Sequence, residues 1–341
     1  MHRILKWILI LSTIFLSRIL TSEAQTKYNI VFYNVENLFD TYDDPETADE
    51  KFTPLNEQHW TKERFEKKIK LIYKTMITAG NGQYPDIIGL AEIENIRVIE
   101  QLITKTPLNR VPYGIIHKES PDPRGIDLAL LYRKDRIIPI DYEHISVSNI
   151  GKYEFLSRDI LHFIAKLGSE QVHFFVNHWP SRSGGYVETK KKRDIAAQIL
   201  RSCIDSLLIK NASPNIIIMG DFNATPKEKC LTSLLKALPY PGNNNPSWLI
   251  NLSTLWTKYA EGTIRNNGEW ETFDQMICSY NLLTNCSLKV ETKKPGICNF
   301  DFLLEPEPTY LGKKPFRTYL GPIYHGGFSD HLPVRIFLSE K

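Results

Sequence analysis

The sequence predicts a domain of the mixed α/β or α+β class. Short apolar runs of strand length alternate with longer amphipathic stretches, which is the pattern of sheets covered by helices. The chain has 341 residues, of which 42% are hydrophobic and 24% charged. This composition is typical of a folded globular protein and excludes wholesale disorder, a collagen-like repeat and a coiled coil. Nothing in the sequence requires a second domain, so we expect residues 25–341 to form one.

The first 24 residues predict a secretory signal peptide. Arg3 and Lys6 lie beside an apolar run from Trp7 to Leu16, which is shorter than the ~20 residues needed to cross a bilayer. The small residues of Ser22-Glu23-Ala24 then provide a cleavage context. We therefore expect an exported protein, periplasmic or secreted, without a stable membrane anchor. An uncleaved anchor is the alternative.

Eight apolar runs of strand length predict the β-strands. In chain order they are residues 28–33, 86–91, 126–132, 160–167, 172–176, 216–219, 275–279 and 332–338. Segments 40–58, 241–250 and 261–270 are polar or rich in Asn, Gly and Pro and predict loops.

Two longer segments predict α-helices. Residues 61–78 carry apolar side chains at spacings of four, three and four, which places them on one helix face: Phe65, Ile69, Ile72 and Met76. Residues 188–208 show a similar inward face: Ile195, Ile199 and Ile204. A shorter helix is expected after Pro226.

Polar side chains gather where six of the predicted strands begin or end. They follow four strands at Asn34 and Glu36, at Glu92, at Asn177 and His178, and at Asp221 and Asn223. Asp274 and the pair Asp330-His331 instead precede the last two strands. If the last two strands run opposite to the other four, all of these residues meet at one edge of the sheet system. Active sites are commonly carried there, on loops above a rigid sheet.

Such a pocket would be rich in carboxylate and amide oxygens. This donor set suits Mg²⁺, Mn²⁺ or Ca²⁺ far better than zinc. A hard cation is the usual partner of a phosphate, while Asp, Asn and His supply groups that orient a water and donate to a phosphate oxygen. The set therefore predicts hydrolysis of a phosphoester.

Each motif alone also has a structural explanation. Gly220-Asp221-Phe222-Asn223 could be only a turn that closes a buried strand, and Ser329-Asp330-His331 a loop that caps one. Glu92 with Glu94 could begin a solvated helix. Arg158 could be a surface ion-pair partner.

Five motifs, in their order along the chain, resemble the signature segments of the endonuclease/exonuclease/phosphatase superfamily. They are Tyr33-Asn34-Val35-Glu36-Asn37-Leu38-Phe39, Leu90-Ala91-Glu92-Ile93-Glu94-Asn95, Asn177-His178-Trp179-Pro180-Ser181-Arg182, Gly220-Asp221-Phe222-Asn223 and Ser329-Asp330-His331. This group includes deoxyribonuclease I-like nucleases, apurinic-site endonucleases, sphingomyelinases and inositol-polyphosphate 5-phosphatases, and the resemblance extends from about residue 28 to residue 338. The residues around Asn34 and His178 are most similar to those of exported bacterial members. The resemblance implies a four-layer sandwich, two packed mixed β-sheets flanked by helices, and metal-dependent phosphoester hydrolysis.

The resemblance also implies a role for each site residue. The metal-site residues are Glu92, the principal Mg²⁺ ligand, with Asn34, Glu36 and Asp330. The catalytic residues are Asp221 for the attacking water, Asn223 as its companion, His331 on the phosphate, Asp274 orienting His331, and His178 as a second histidine. Arg158 and Asn177 are expected to bind substrate. At Asp274 this chain reads Asp-Gln-Met where the family often reads Asp-Tyr/His-Ile.

The charge balance bears on the substrate. Removal of residues 1–24 takes three of the 42 basic and one of the 39 acidic residues, so 39 basic and 38 acidic residues remain. The nearly neutral total does not predict attraction to a polyanion, and any such binding needs a local patch. Arg182 and the run from Lys190 to Arg193 could line a groove for a nucleic acid strand.

The leading hypothesis is a nuclease that acts as a monomer on DNA or RNA. The alternatives are a phosphatase or phosphodiesterase acting on a phospholipid headgroup or a small phosphate ester, and an inactive binding protein that kept the fold. The five cysteines are odd in number, so at least one is unpaired in a monomer, and no CxxC spacing points to structural zinc.

Overall fold

Two mixed β-sheets packed face to face form the centre of the molecule. The computed structural model describes residues 26–148, 155–242, 245, 247–258, 262–284, 286–293 and 296–340. The predicted signal peptide lies outside these residues. Helices cover the outer face of each sheet, so the predicted four-layer sandwich is confirmed.

The first sheet has six strands, numbered in chain order. Their spatial order is β14 (Leu288–Val290), β19 (Val334–Glu340), β1 (Lys27–Leu38), β2 (Ile87–Ile93), β4 (Asp127–Arg133) and β3 (Tyr113–His117).

The second sheet has seven strands. Their spatial order is β5 (Ile137–Ile145), β6 (Ile160–Leu167), β7 (Glu170–His178), β8 (Asn215–Asp221), β13 (Asp274–Ser279), β10 (Leu249–Asn251) and β9 (Ala237–Pro239). Short two-stranded hairpins are formed by β11 (Ile264–Asn266) with β12 (Glu269–Glu271), β15 (Leu304–Pro306) with β16 (Lys313–Pro315), and β17 (Tyr319–Leu320) with β18 (Ile323–Tyr324).

The α-helices of the described residues are α1 (Lys62–Ala79), α2 (Ile96–Thr104), α3 (Tyr186–Lys210) and α4 (Asn281–Thr284). The predictions over 61–78 and 188–208 are confirmed within two residues at each end. Helix α1 begins where predicted because the side chain of Thr61 accepts a hydrogen bond from the Arg64 N–H. The helix expected after Pro226 is a single π-helical turn, Cys230–Leu234. None of these helices is both long and apolar enough to cross a membrane.

Alternate residues of the strands face the inter-sheet core and an outer helix. In β8, Ile217 and Met219 join the inter-sheet core with Phe32 of β1, whereas Ile216 and Ile218 join the cluster beneath α3. This two-residue period explains why the strands of a four-layer protein read as continuous apolar runs rather than as alternating ones.

Several elements were not predicted, and two predicted loops were wrong in part. Strand β5 contains Pro139 and is exposed over most of its length, so it shows no apolar run. Helix α2 and strand β3 were also missed. Strand β10 begins inside the predicted loop 241–250, and the β11–β12 hairpin occupies most of 261–270. Strands of three residues are too short to carry a periodic signal.

The strand directions bring the polar ends together. Strands β1 and β2 are parallel, as are β7 and β8, whereas β13 runs antiparallel to β8 and β19 antiparallel to β1. The condition stated in the sequence analysis, that the last two strands run opposite to the earlier ones, is therefore met within each sheet. All five cysteines are free thiols, in agreement with the expectation that at least one is unpaired.

Candidate active site

A bulge near the end of β1 sets the position of the first acidic residues. The pairing of β1 with β2 shifts between Asn34 and Leu38, and Glu36 and Asn37 both take a left-handed backbone with φ of 52°. Asn34 Oδ1 accepts a hydrogen bond from the Glu36 N–H at 3.0 Å. This conformation is unfavourable for residues with a side chain, and its retention here turns Asn34 and Glu36 toward the sheet edge.

Glu92 reaches the same place from β2. It also has a left-handed backbone, with φ of 64°, at an irregularity in the pairing of β2 with β4. Its carboxylate accepts hydrogen bonds from the Asn37 N–H at 2.8 Å and from Asn34 Nδ2 at 3.3 Å. The structure thus brings Asn34 and Glu92 into direct contact.

Two cations that the sequence analysis missed compensate Glu36 and Asp330. Arg317 lies 3.3 Å from Glu36 Oε1 through Nε and 3.0 Å from Asp330 Oδ2 through Nη2. Lys68 of α1 is 1% exposed and donates to the Phe328 carbonyl and to the hydroxyl of Thr318. Burial lowers the pKa of Lys68 to about 8, although Glu36 and Asp330 act in the opposite direction.

Lys68 had a signal in the sequence. It lies on the apolar face of α1, between Phe65 and Ile72, and a cation on such a face needs a buried acidic or carbonyl partner. Arg317 lies in a segment without a periodic pattern, so the sequence offers no comparable signal for it.

The catalytic residues of the second sheet lie side by side on adjacent strands. Asp221 pairs in register with His178 of β7 on one side and with Asp274 of β13 on the other. Gly220 is needed just before Asp221, because a Cβ atom at that position would lie 2.3 Å from the Asn177 carbonyl oxygen. The close approach of β7 and β8 therefore depends on this glycine.

Asp221 links the two sheets. Its Oδ2 lies 3.1 Å from Asn34 Nδ2, 3.6 Å from His178 Nε2 and 3.8 Å from His331 Nε2. Its Oδ1 accepts the Asn223 N–H at 2.9 Å. Glu92 Oε1 is 4.0 Å from His178 Nε2. One buried carboxylate oxygen thus faces polar groups from three different strands or loops.

The two histidines differ in protonation. Burial disfavours the imidazolium of His331, but the carboxylates of Asp274 and Asp221 outweigh it and hold the pKa of His331 well above its ordinary value. The Nδ1 of His331 is 2.7 Å from Asp274 Oδ2. Burial, reinforced by the nearby Arg158, lowers the pKa of His178 well below its ordinary value. At neutral pH His331 is a charged donor and His178 is neutral.

The donor set fits a hard divalent cation. Asp221, Asp274 and His331 have possible ligand atoms within 4.8 Å of one another, but the charged state of His331 already balances part of that cluster. Across the whole site, five carboxylates face three cations. The carboxylates are Glu36, Glu92, Asp221, Asp274 and Asp330, and the cations are Lys68, Arg317 and His331. The carboxylates outnumber the cations, and oxygen ligands suit Mg²⁺, Mn²⁺ or Ca²⁺.

The predicted substrate-binding residues are largely engaged within the protein. Arg158 is buried, pairs with Asp122 at 2.6 Å and donates to the His178 and Trp179 carbonyls at 3.2 and 2.8 Å. Asn177 is fully enclosed between β7 and β8 and accepts from Trp179 Nε1 at 3.1 Å. These contacts favour a positioning role for both residues.

Arg182 and the basic run that follows it do not form one exposed stripe. Arg182 pairs with Glu228 at 2.8 Å and with Glu271 at 2.7 Å, and it donates to the Asn223 carbonyl at 3.1 Å. Arg193 is fully buried. The expected groove lined by all four residues from 190 to 193 is therefore corrected, because the helical period turns Arg193 into the protein.

Comparison with known proteins identifies the family. A sequence model of the Endonuclease/Exonuclease/phosphatase family matches residues 29–340. A comparison with curated proteins gave no match.

Solved structures share the fold over nearly the whole chain. Humanised D. rerio TDP2 is 14% identical with a TM-score of 0.53, and the alignment covers 92% of this chain and 98% of that one. The human nocturnin catalytic domain, with a bound sulfate anion, is 14% identical with a TM-score of 0.54 and coverages of 93% and 98%. A mannosyl-6-phosphatase from Bacteroides thetaiotaomicron is 16% identical with a TM-score of 0.54 and coverages of 91% and 99%.

Proposed function

The chain belongs to the Endonuclease/Exonuclease/phosphatase family, and from that premise we propose that it is an exported nuclease that hydrolyses phosphodiester bonds of DNA or RNA. Metal-dependent hydrolysis of phosphoester bonds is the enzyme class of this family. The observation that supports the proposal most directly is the position of Asp221, whose Oδ2 lies among Asn34, His178 and His331. A water and a phosphate at that point would meet both a proton acceptor and proton donors.

Asp221 is suited to accept the proton of the attacking water. Burial raises its pKa above the ordinary value, against the opposing effect of His331, so the carboxylate is a stronger base than an exposed aspartate. Its Oδ1 is held by the Asn223 N–H at 2.9 Å, which leaves Oδ2 directed at the centre of the site. The backbone thereby fixes which oxygen takes the proton.

His331 is suited to donate to a phosphate oxygen. Its Nδ1 is held by Asp274, so the Nε2–H points toward Asp221 and the centre of the site. A charged donor at this position stabilises the negative charge that develops on the phosphorane oxygens. A divalent cation held by Glu92 with Asn34, Glu36 and Asp330 would neutralise the phosphate and support the leaving oxygen.

The test is a substrate panel. Residues 25–341 are incubated with Mg²⁺, Mn²⁺ or Ca²⁺ against plasmid DNA, RNA, sphingomyelin and a generic phosphomonoester, with a matched EDTA series. We expect cleavage of DNA or RNA that EDTA abolishes and Mg²⁺ or Mn²⁺ restores. Full activity in EDTA contradicts the role of Glu92, and turnover of the monoester alone contradicts the nuclease assignment.

One feature favours a second candidate, a phosphatase or phosphodiesterase acting on a small phosphate ester or a lipid headgroup. A cavity of about 470 Å³ opens beside Glu94, two residues after Glu92. Its wall carries six carboxylates: Asp44, Glu46, Glu94, Glu119, Asp122 and Asp127. Carboxylates repel a polyanionic strand and accept hydrogen bonds from hydroxyl groups. Faster turnover of a hexose 6-phosphate than of DNA in the same panel would select this candidate.

The proposal also includes export and a monomeric state, and each of these is tested by a separate measurement. Mass spectrometry of the protein recovered outside the cytosol should find an N-terminus at Gln25. Size-exclusion chromatography with light scattering should give the mass of one chain. An N-terminus at Met1, or a dimer mass, contradicts the respective part.

A further inference from the structure

Arg317 lies between two carboxylates of the candidate active site and leaves one end of its guanidinium free. Its Nε donates to Glu36 Oε1 at 3.3 Å, and its Nη2 donates to Asp330 Oδ2 at 3.0 Å. Its Nη1 makes no hydrogen bond to any residue that the structure describes. The side chain is 36% exposed, so this free end is open to solvent.

The chain beside Arg317 is held firmly. The next residue, Thr318, donates its N–H to Glu36 Oε2 at 2.6 Å, and its hydroxyl accepts a hydrogen bond from the buried Lys68. Glu36 therefore fixes the side chain of one residue and the backbone of the next. A donor that is held in place before a ligand arrives stabilises developing charge without first having to reorganise.

The contacts of Arg317 tie it to the residues expected to act on the phosphate. Asp330, which accepts one of its hydrogen bonds, directly precedes His331 in the chain. The Nε2 of His331 lies 3.8 Å from Asp221 Oδ2. The same short segment thus carries a residue that holds the guanidinium and a residue that faces the expected proton acceptor.

Glu92, the expected principal metal ligand, also lies within electrostatic range of Arg317. Burial acts to lower the pKa of Arg317, but the carboxylates of Asp330, Glu36 and Glu92 outweigh it and raise that pKa. A phosphate oxygen close to a metal on Glu92 would therefore also lie close to this guanidinium.

Charge compensation alone does not explain this geometry. A guanidinium that neutralises a carboxylate often pairs with it through two parallel hydrogen bonds. Arg317 instead gives one N–H to each of two carboxylates, and Lys68 already supplies a second cation to the same pair. A guanidinium has five N–H donors, and about three of them remain for a ligand. A planar set of donors matches the oxygens of a phosphate.

We propose that Arg317 is a further catalytic residue, whose free N–H donors bind oxygens of the phosphate that is cut, and that Glu36 and Asp330 position it. The inference rests on the proposed function and adds a donor to its site. In the hydrolysis, the water oxygen bonds to phosphorus and gives its proton to Asp221. The ester oxygen leaves with the electron pair of its bond to phosphorus and takes up a proton from solvent. Arg317 transfers no proton and keeps its charge throughout.

The test compares Arg317→Met and Arg317→Lys with the wild type. The matched control is Arg110→Met, which removes an exposed arginine at the end of the short helix Pro107–Arg110. The affinity for inorganic phosphate is measured by calorimetry at saturating Mg²⁺, and the affinity for Mn²⁺ by electron paramagnetic resonance of the free ion. Steady-state kinetics gives kcat and KM for the substrate that the panel identifies, and Tm reports on folding.

We expect Arg317→Met to weaken the phosphate affinity about tenfold, the scale of one charge-assisted hydrogen bond. Its kcat should fall by roughly 10²–10³, by analogy with the loss of one preorganised donor. The Mn²⁺ affinity should not fall, because the lost cation lies beside Glu36 and Asp330 and opposed a second positive charge there. Arg110→Met should match the wild type in each measurement.

Arg317→Lys keeps the inference testable if the methionine variant does not fold. The lysine retains a cation between the two carboxylates but lacks the planar set of donors. It should therefore keep the wild-type Tm and still lose most of the phosphate affinity. Full phosphate affinity in Arg317→Lys overturns the proposal, because a point charge would then be enough.

Two further results overturn the inference, and one of them leaves the proposed function intact. If DNA or RNA is cleaved and both Arg317 variants match the wild type in kcat and phosphate affinity, the inference is wrong and the nuclease assignment stands. If the Mn²⁺ affinity falls as much as the phosphate affinity, Arg317 only maintains the metal site. If no substrate is hydrolysed but phosphate binds more weakly to both variants, the nuclease assignment fails and the phosphate contact of Arg317 stands.

Discussion

The candidate active site has two halves. Each half brings two carboxylates close together, but different cations balance their negative charge. In the Glu36 half, Glu36 and Asp330 face Arg317 and Lys68. In the His331 half, Asp221 and Asp274 face His331, with neutral His178 alongside. Guanidinium groups keep their charge through a reaction at neutral pH, whereas imidazoles gain and lose protons. The comparison indicates that the Glu36 half holds ligands in place and that the His331 half moves protons.

The largest effect should come from Asp221 in the His331 half. Asp221→Asn keeps the shape of the side chain but removes the proton acceptor, so kcat should fall by ~10²–10⁴, the scale of losing a general base. The apparent metal affinity, measured by titrating activity with Mg²⁺, should change little. The matched control is Glu92→Gln, which should weaken the metal affinity instead. If Asp221→Asn loses metal affinity and keeps its turnover at saturating Mg²⁺, the two roles are reversed.

His331→Ala tests the donor of the same half. Removal of the charged donor should lower kcat by roughly 10²–10³, by analogy with the loss of one oxyanion-hole donor. Asp274→Asn should give a smaller loss of the same kind, because it would change the orientation and charge of His331 without removing the ring. Steady-state kinetics at saturating Mg²⁺ measures both. A wild-type kcat in His331→Ala would show that the imidazolium does not touch the reacting phosphate.

Lys68→Met tests the Glu36 half. The substitution keeps the length of the side chain and removes a cation close to Glu36 and Asp330, so the apparent affinity for Mg²⁺ should rise by up to about tenfold, with kcat changed less than in the two variants above. Lys70→Met is the control, since Lys70 is exposed on the same helix. A loss of metal affinity in Lys68→Met would mean that Lys68 acts by holding the Thr318 segment rather than by its charge.

Much of the fold, and most of the residues that form the site, could be predicted from the sequence. Strand ends are readable because an apolar run stops where polar residues begin, and this pattern predicts that Asn34, Glu92 and Asp221 lie together. Short or edge strands such as β5 and β11 carry no run of sufficient length and were missed. The local sequence was thus enough to predict a strand wherever several consecutive residues are buried.

The charge compensation within the site could not be predicted in the same way. Arg317 meets Glu36 across 281 positions of sequence, and no local pattern connects them. The basic run from Lys190 to Arg193 looked uniform, yet the helix turns Arg193 inward and leaves Lys191 exposed. Tertiary packing decides which charged side chains face each other. No local pattern in a single sequence indicates these pairs.

A histidine pair outside the site sharpens the contrast with His331. His162 Nε2 lies 3.0 Å from His173 Nδ1 in the second sheet. No ion pair to a carboxylate is found for His173 among the described residues, and burial lowers its pKa to about 4. If the carboxylates of Asp274 and Asp221 are what keep His331 charged, then His173, which is buried without them, must be neutral in the folded protein. The pKa of His173 therefore tests whether the neighbouring carboxylates are what keep His331 protonated.

An effect on stability rather than on turnover is expected from the acid sensitivity that His173 contributes to folding. Its folded pKa of about 4 lies below the unfolded value of ~6.5, so the unfolded chain binds the proton more readily. Stability is fully present above about pH 6.5 and is lost as the pH falls toward 4, by about 2 kcal/mol or a few degrees in Tm between pH 7 and pH 5. The fall in Tm between pH 7 and pH 5 should be smaller in His173→Asn than in the wild type, and unchanged in His59→Asn, which alters an exposed histidine. An NMR titration that places His173 near 6.5 would show that burial alone does not neutralise a histidine in this sheet, and burial would then no longer explain the lowered pKa of His178.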